Sequence, residues 1–189
     1  MKKSQTTNLV TLVDKKGNPT GYAEKIEAHL LGALHLAFSL MIVRTRQGRR
    51  EYLLQRRAID KYHSGGLWAN TCCSHPFPDE SIDKAAHRRV SEELGINNLP
   101  SVTTIGQIYY KHTLDNNMIE HEYDNIVVTE VDDIQWQQNP DEVMAVKWWH
   151  EDEIDKSLAQ NSSVFAAWFP DVFNYVKKHS PAPQSISST

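Results

Sequence analysis

WANTCCSHPFPDESIDKAAHRRVSEELGI, residues 68–96, opens extended and closes helical. Alternate side chains of an extended chain point to one face, so Cys73 and His75 share a face while Cys72 points the other way. Pro76 and Pro78 then turn the chain. Asp83 to Leu94 holds neither Gly nor Pro, and Ile82, Ala85, Ala86, Val90 and Leu94 recur at near-helical spacing before Gly95. That pattern predicts a helix with a glycine end. Glu92 and Glu93 fall in its last turn, at the negative end of the helix dipole, where a metal or an arginine has to compensate them.

Upstream, Leu9–Val13, the turn Asp14-Lys15-Lys16-Gly17-Asn18-Pro19 and Gly21-Tyr22 read as a strand, a turn and a returning strand. Glu24 to Leu31, carrying Lys25 and His29, is a short helix or a loop. The β-rich runs His35–Arg44 and Glu51–Arg57 are joined through Gln47-Gly48, which predicts a hairpin. Asp60 to Gly66, with Lys61, His63 and two glycines, is a loop. Downstream, Val102–His112 and Glu120–Val131 form a second pair of strands around Asp115-Asn116-Asn117. Period two puts Glu120 and Glu122 on one face and His121 on the other.

Met144–His150 predicts a further strand and Glu151–Ala159 a short helix. A last helix is expected after Ser162-Ser163, carrying Val164, Phe165, Trp168, Phe169, Val172, Phe173 and Val176, with Pro170 kinking or restarting it. The Ser- and Pro-rich residues 181–189 are expected to be a disordered tail. Strands before, between and after helices imply an α+β domain, a mixed sheet packed between helices with an N-terminal hairpin extension.

Composition narrows the function classes. At 189 residues the chain is long enough for one domain with a core that needs no staples. Twenty basic against twenty-four acidic residues give a net charge of -4, which argues against a nucleic-acid footprint and favours a small partner. Two adjacent cysteines make no disulfide framework, so a free thiol is available for chemistry. Met1 to Val10 lacks an apolar core, and Leu30–Val43, the most apolar stretch, is interrupted by His35 and Ser39 and is too short to span a bilayer. The expectation is a soluble cytoplasmic protein with no membrane partner.

Three imidazoles, His29, His35 and His75, and two carboxylates, Glu120 and Glu122, suit a divalent ion that takes mixed nitrogen and oxygen ligands, Zn, Mn or Mg. Singly, each has an ordinary structural explanation, and a free cysteine is most often apolar filler. The joint case rests on two facts: the pairs Cys73/His75 and Glu120/Glu122 each share one strand face, and both occupy motif positions of the family that the chain resembles.

The spacing Glu80, Arg88, Glu92, Glu93, Gly95, Ile96 resembles the Nudix box, which holds divalent metal against a diphosphate. Where that pattern has Gly and a Glu after the arginine, this chain has Ser74 and Arg89, so a metal-holding carboxylate is replaced by a cation. The words Trp68-Ala69-Asn70-Thr71-Cys72-Cys73-Ser74-His75-Pro76 and Leu34-His35-Leu36-Ala37-Phe38-Ser39 resemble those of type 1 isopentenyl diphosphate isomerases. The likeness runs from about Leu12 to Trp168.

That resemblance implies a single Nudix-like isomerase domain over 1–180, with its core at about 34–168, acting on a small isoprenoid diphosphate. It implies one divalent metal at His29, His35, His75, Glu120 and Glu122, with Cys73 and Glu122 as acid and base on opposite faces of the substrate. Tyr110 would hydrogen-bond the catalytic carboxylate, and the Trp168 indole would face a developing cation. Lys25, Arg57 and Lys61 would hold the diphosphate, Glu93 with the Cys73 carbonyl would take a second ion, Mg, that bridges the phosphates, and Glu80 and Arg88 would support the loop. Two rivals remain beside it: a Nudix phosphohydrolase, which Arg89 weakens, and a non-catalytic Nudix-like sensor, which has no use for Cys73 and Glu122 together with the metal ligands.

Overall fold

In the computed structural model, which describes residues 8–181, the chain begins with β1 (Leu9–Val13) and β2 (Pro19–Glu24), paired antiparallel as the expected hairpin. The Asp14 carboxylate closes their turn by accepting from the backbone N–H of Lys16 and Asn18, and Gly17 takes the left-handed conformation the turn requires. The helix-or-loop segment is a helix, α1 (Lys25–Leu31), capped by the Glu24 side chain and stopped at Gly32. β3 (His35–Arg46) and β4 (Arg49–Arg57) follow, linked by Gln47 and Gly48 at φ 51° and 73°. Two consecutive left-handed residues make the tight hairpin turn that suits twisted strands.

Two short strands, β5 (Trp68–Ala69) and β6 (Cys72–Ser74), lead into α2 (Ile82–Leu94), capped by Ser81 and ended at Gly95. β7 (Thr103–Thr113) and β8 (Ile119–Glu130) form the second antiparallel pair. β9 (Val143–His150) and α3 (Glu151–Asn161) come next. The last helix, α4 (Phe169–His179), is shorter than expected. Ser162–Val164 is a 3-10 turn and Phe165 forms a bridge with Trp68, so the helix starts only at Phe169, with Pro170 in its first turn and Trp168 as its cap. Pro170 restarts the helix because proline lacks an N–H and is tolerated only where that N–H has no helical partner. The tail expected over 181–189 lies, apart from Pro181, outside the described residues.

β3 and β4 pair only near their turn, from Val43↔Tyr52 to Arg46↔Arg49, and then part. β3 runs on beside β8, parallel, and β6, antiparallel, while β4 runs between β9 and β5. Among the described residues the strands form one mixed sheet.

Alternation along the strands sorts the side chains into two layers. Phe38, Leu40 and Ile42 of β3, with Leu53 and Cys72, meet Ala85, Ala86, Val90 and Leu94 of α2 on one face. Met41, Val43, Tyr52, Leu54, Ile126 and Val128 meet Phe169, Val172, Phe173 and Val176 of α4 on the other. Full burial of each large apolar side chain here contributes about 1.5–3 kcal/mol.

On the α4 face the apolar pattern stops partway. β3 changes from Val43 and Met41 to Ser39 and His35, and β8 from Val128 and Ile126 to Asp124, Glu122 and Glu120, all buried. One end of that sheet face is core and the other end is polar. Register aligns the polar ends, His35 opposite Glu122 and Ser39 opposite Cys73.

Candidate active site

α1 brings His29 over the polar end of the sheet, where β3 contributes His35, the segment after β6 His75, and β8 Glu120 and Glu122. One ligand atom from each of these five lies within 4.8 Å of every other. His29 Nδ1 donates to the Lys25 carbonyl at 2.7 Å and His35 Nδ1 to the Ala33 carbonyl at 2.8 Å. A carbonyl only accepts, so both rings carry their proton on Nδ1 and, when neutral, turn a bare Nε2 inward.

His29 Nε2 is 3.2 Å from Glu120 Oε1, His35 Nε2 is 3.2 Å from His75 Nε2, and His75 Nε2 is 3.3 Å from Glu122 Oε1. Burial holds the His35 ring below its ordinary range, and burial with the neighbouring His35 and His29 rings holds His75 well below it. The Glu120 carboxyl, which burial alone would raise, is brought well below its usual range by His29 and His63. Buried lone pairs facing one another are favourable only with a cation among them, and three imidazoles with two carboxylates form a fitting donor set for a divalent ion.

Beside this cluster the Cys73 Sγ receives a hydrogen bond from Trp168 Nε1 at 3.1 Å and donates one to Asn70 Oδ1 at 2.8 Å. Burial, with the Asp124 carboxyl nearby, pushes the thiol up to about 12, which keeps it protonated at neutral pH. Tyr110 OH donates to Glu122 Oε2 at 3.1 Å and reaches Asp124 Oδ2 at 3.4 Å. Burial also pushes the phenol well above its ordinary range, so it remains a donor. Cys73, Glu122, Tyr110 and Trp168 line one narrow pocket together with His63 and Arg57. Its free volume is about 20 Å³, room for a water molecule.

Arg57, Tyr62, Cys73, Ser74 and His75 also border a wider outer cavity of about 310 Å³. Five cations, Lys25, Arg57, Lys61, Arg88 and Arg89, line it against three carboxylates, Glu92, Glu93 and Glu142. Burial, together with the charges of Lys61 and Arg89, holds the Lys25 ammonium below its ordinary range, a repulsion that an anion in the cavity would relieve. Lys61 is held by Glu142 at 2.5 Å, and Arg57 packs 5.3 Å from the Trp168 ring. Glu80 and Arg88 are paired at 2.8 Å, with Glu80 also accepting from the Phe77 N–H, so the two brace the loop before α2.

Glu93 lies outside the His/Glu cluster. Its carboxylate pairs with Arg89 and accepts from Gln55 Nε2 at 2.8 Å. The compensation demanded by two carboxylates in the last turn of α2 is supplied by Arg89, which also holds Glu92 at 2.6 Å. That i,i+4 relation was readable in the sequence. Asp124 went unnoticed although it continues the face of Glu120 and Glu122. Its Oδ2 accepts from Ser39 at 2.6 Å, and burial raises its carboxyl to about 8. His63, whose Nε2 is 3.1 Å from Glu120 Oε2, comes from an irregular loop where no period signals direction.

Residues 33–169 match the NUDIX domain family. An isopentenyl-diphosphate Delta-isomerase of Photobacterium profundum is 44% identical over 167 residues, covering 88% of this chain and 93% of that protein. One of the same name from Pectobacterium atrosepticum is 43% identical over 179 residues, covering 95% and 97%. Among solved structures, the MutT protein from Methanosarcina mazei Go1 superposes with a TM-score of 0.58 at 21% identity, covering 77% of this chain and 94% of that one. A MutT NUDIX hydrolase from Burkholderia pseudomallei gives 0.57 at 20%, covering 76% and 98%. At such identities these two likenesses speak to the fold alone. None of the described helices is long and apolar enough to cross a membrane.

Proposed function

This chain belongs to the NUDIX domain family and to the isopentenyl-diphosphate Delta-isomerases, and on that footing we propose that it interconverts isopentenyl and dimethylallyl diphosphates with Cys73 and Glu122 as its proton-transfer pair. One of the two delivers a proton to the terminal methylene carbon while the other withdraws one from the C2 methylene, so the double bond moves inward and no atom is lost. The observation that supports the pair is that both side chains line the same narrow pocket beneath a cation-rich cavity.

Lys25, Arg57 and Lys61 take the diphosphate in the outer cavity. Glu93 and Cys73 border that cavity too, which supports a magnesium ion entering with the diphosphate there. The five-carbon chain reaches inward, where the narrow pocket has to widen to admit it. Tyr110 holds the Glu122 carboxylate, and the Trp168 ring, which lines the same pocket, would face the positive charge that develops on the tertiary carbon. His29, His35, His75, Glu120 and Glu122 would hold a divalent ion, for which the imidazoles favour zinc or manganese over magnesium. A divalent ion held by these residues would fix and polarise the Glu122 carboxylate. Hydrolysis is disfavoured because Arg89 engages the carboxylates that water activation needs.

The test is incubation of metal-loaded protein with isopentenyl diphosphate in deuterated water, followed by NMR. Deuterium is expected in a newly formed methyl group. Cys73→Ala and Glu122→Gln should each lower exchange by at least about 10²–10⁴-fold, the usual worth of a general acid or base. Full exchange in either variant, or phosphate release as the principal outcome, would overturn the assignment.

A further inference from the structure

His63 is 2% exposed, with its ring at the inner pocket and its backbone in the loop 58–67 between β4 and β5. Glu120 divides its two oxygens between neighbours: Oε1 faces His29 Nε2 at 3.2 Å, inside the imidazole cluster, and Oε2 faces His63 Nε2 at 3.1 Å, on the loop side. His63 Nδ1 is 3.0 Å from Ser64 Oγ; in the tautomer where that hydroxyl donates, the ring proton is on Nε2, which stands 3.1 Å from Glu120 Oε2 in a close polar contact not aligned as a hydrogen bond. A carboxylate ligand oriented by a donor behind it is the usual way a protein aims a metal site.

The loop is built as a unit. Arg57 Nη2 donates to the His63 carbonyl at 3.1 Å, Ser64 N–H donates to Asp115 Oδ1 at 2.9 Å, and Asn116 Nδ2 donates to the Tyr62 carbonyl at 3.3 Å. Ser64 takes a φ of 54°, a strained value for a residue with a side chain. Lys61, two positions before His63, lines the outer cavity, and the Tyr62 ring between them packs 4.8 Å from Lys25 Nζ. Three consecutive residues therefore span from the cations of the outer cavity to a carboxylate of the metal cluster.

We propose that His63 is a positioning residue that ties Glu120 to the Lys61 loop, so that a divalent ion in the His/Glu cluster and a diphosphate in the outer cavity strengthen each other's binding. This rests on the reading of the outer cavity as the diphosphate site. With Glu120 Oε1 committed to the ion, Oε2 has one orientation, His63 has a fixed partner, and the loop presents Lys61 already ordered. Ordering the loop once serves both ligands, and the gain is reciprocal by linkage.

The imidazole-rich cluster favours zinc over magnesium, so the two sites can be loaded separately by filling the cluster with zinc first. Magnesium pyrophosphate is titrated calorimetrically into zinc-loaded protein freed of excess metal and into chelator-stripped protein. Wild-type protein should bind it about 10-fold more tightly when zinc-loaded, within the usual range for coupled sites. His63→Leu should reduce that ratio to below about 2-fold while both ligands still bind, and His63→Gln, which keeps a donor, should restore part of it. A wild-type ratio near one, or an undiminished ratio in His63→Leu, overturns the coupling and leaves the isomerase reading intact. If neither form of the wild-type protein binds magnesium pyrophosphate, the diphosphate reading fails and the coupling fails with it.

Discussion

The indole Nε1 of Trp168 donates a hydrogen bond to the Sγ of Cys73 across 3.1 Å. Trp168 reaches the thiol because it caps α4 instead of lying within it, and the segment before it is pinned to β5. There Ala166 N–H donates to the Trp68 carbonyl at 2.8 Å, and Phe165 bridges Trp68. The apolar layer under α4 is thereby tied directly to the Cys73 thiol.

Trp168→Phe should remove the N–H donor and keep an aromatic face. A hydrogen bond of about 0.5–1.5 kcal/mol translates to a fall in kcat of roughly 2- to 12-fold with KM little changed. Trp168→Leu removes the ring as well and should fall further. Steady-state kinetics on both variants check this, and equal losses would show that the ring face contributes nothing.

Metal loading should raise thermal stability. An ion at about 100 times its dissociation constant contributes about 2.7 kcal/mol, or roughly 5–10 °C in Tm for a chain of this size. Calorimetry of chelator-stripped and zinc-loaded protein measures the shift. His35→Ala should lose most of it, since His35 Nε2 sits within 3.2–4.0 Å of His75, Glu120 and Glu122.

Arg89→Ala should destabilise the fold by about 3 kcal/mol, because it leaves the buried Glu93 carboxylate without its counter-charge. The expected fall in Tm is roughly 6–12 °C. Additional replacement of Glu93 by Gln should recover much of it. No change in Tm on the single substitution would mean that Glu93 is sufficiently satisfied by Gln55.

Gly65→Ala probes the loop. A methyl at Gly65 would lie 2.2 Å from the Ile59 carbonyl oxygen, which is backbone and has no rotamer to escape into. Overpacking of about 1–3 kcal/mol should displace the segment carrying Lys61, seen as a KM for isopentenyl diphosphate raised about 10-fold with a smaller change in kcat. An unchanged KM would mean that the loop adapts without moving Lys61.

Much of the fold could be read locally. The Gln47-Gly48 turn, the glycine stops at Gly32 and Gly95, and the strand faces of Cys73/His75 and Glu120/Glu122 are each set by a few neighbouring residues. Where the last helix begins was not readable in that way. Val164 and Phe165 fit its apolar stripe, yet Phe165 is taken by a bridge to Trp68, a contact nearly a hundred positions away in sequence. Helical spacing reports which residues are apolar together, and an extended segment packed on the same core satisfies the same burial.

Periodicity tells which way a side chain points from its own element, and that much of the site, including the Arg89–Glu93 relation within α2, belongs to the sequence alone. It says nothing of what stands opposite. His63 against Glu120, Ser39 between Cys73 and Asp124, and Tyr110 on Glu122 all depend on the register in which β3 lies against β6 and β8, and on where the loop 58–67 comes to rest. Those juxtapositions were decided only in the folded chain, because register is chosen by the packing of two apolar layers drawn from every part of it.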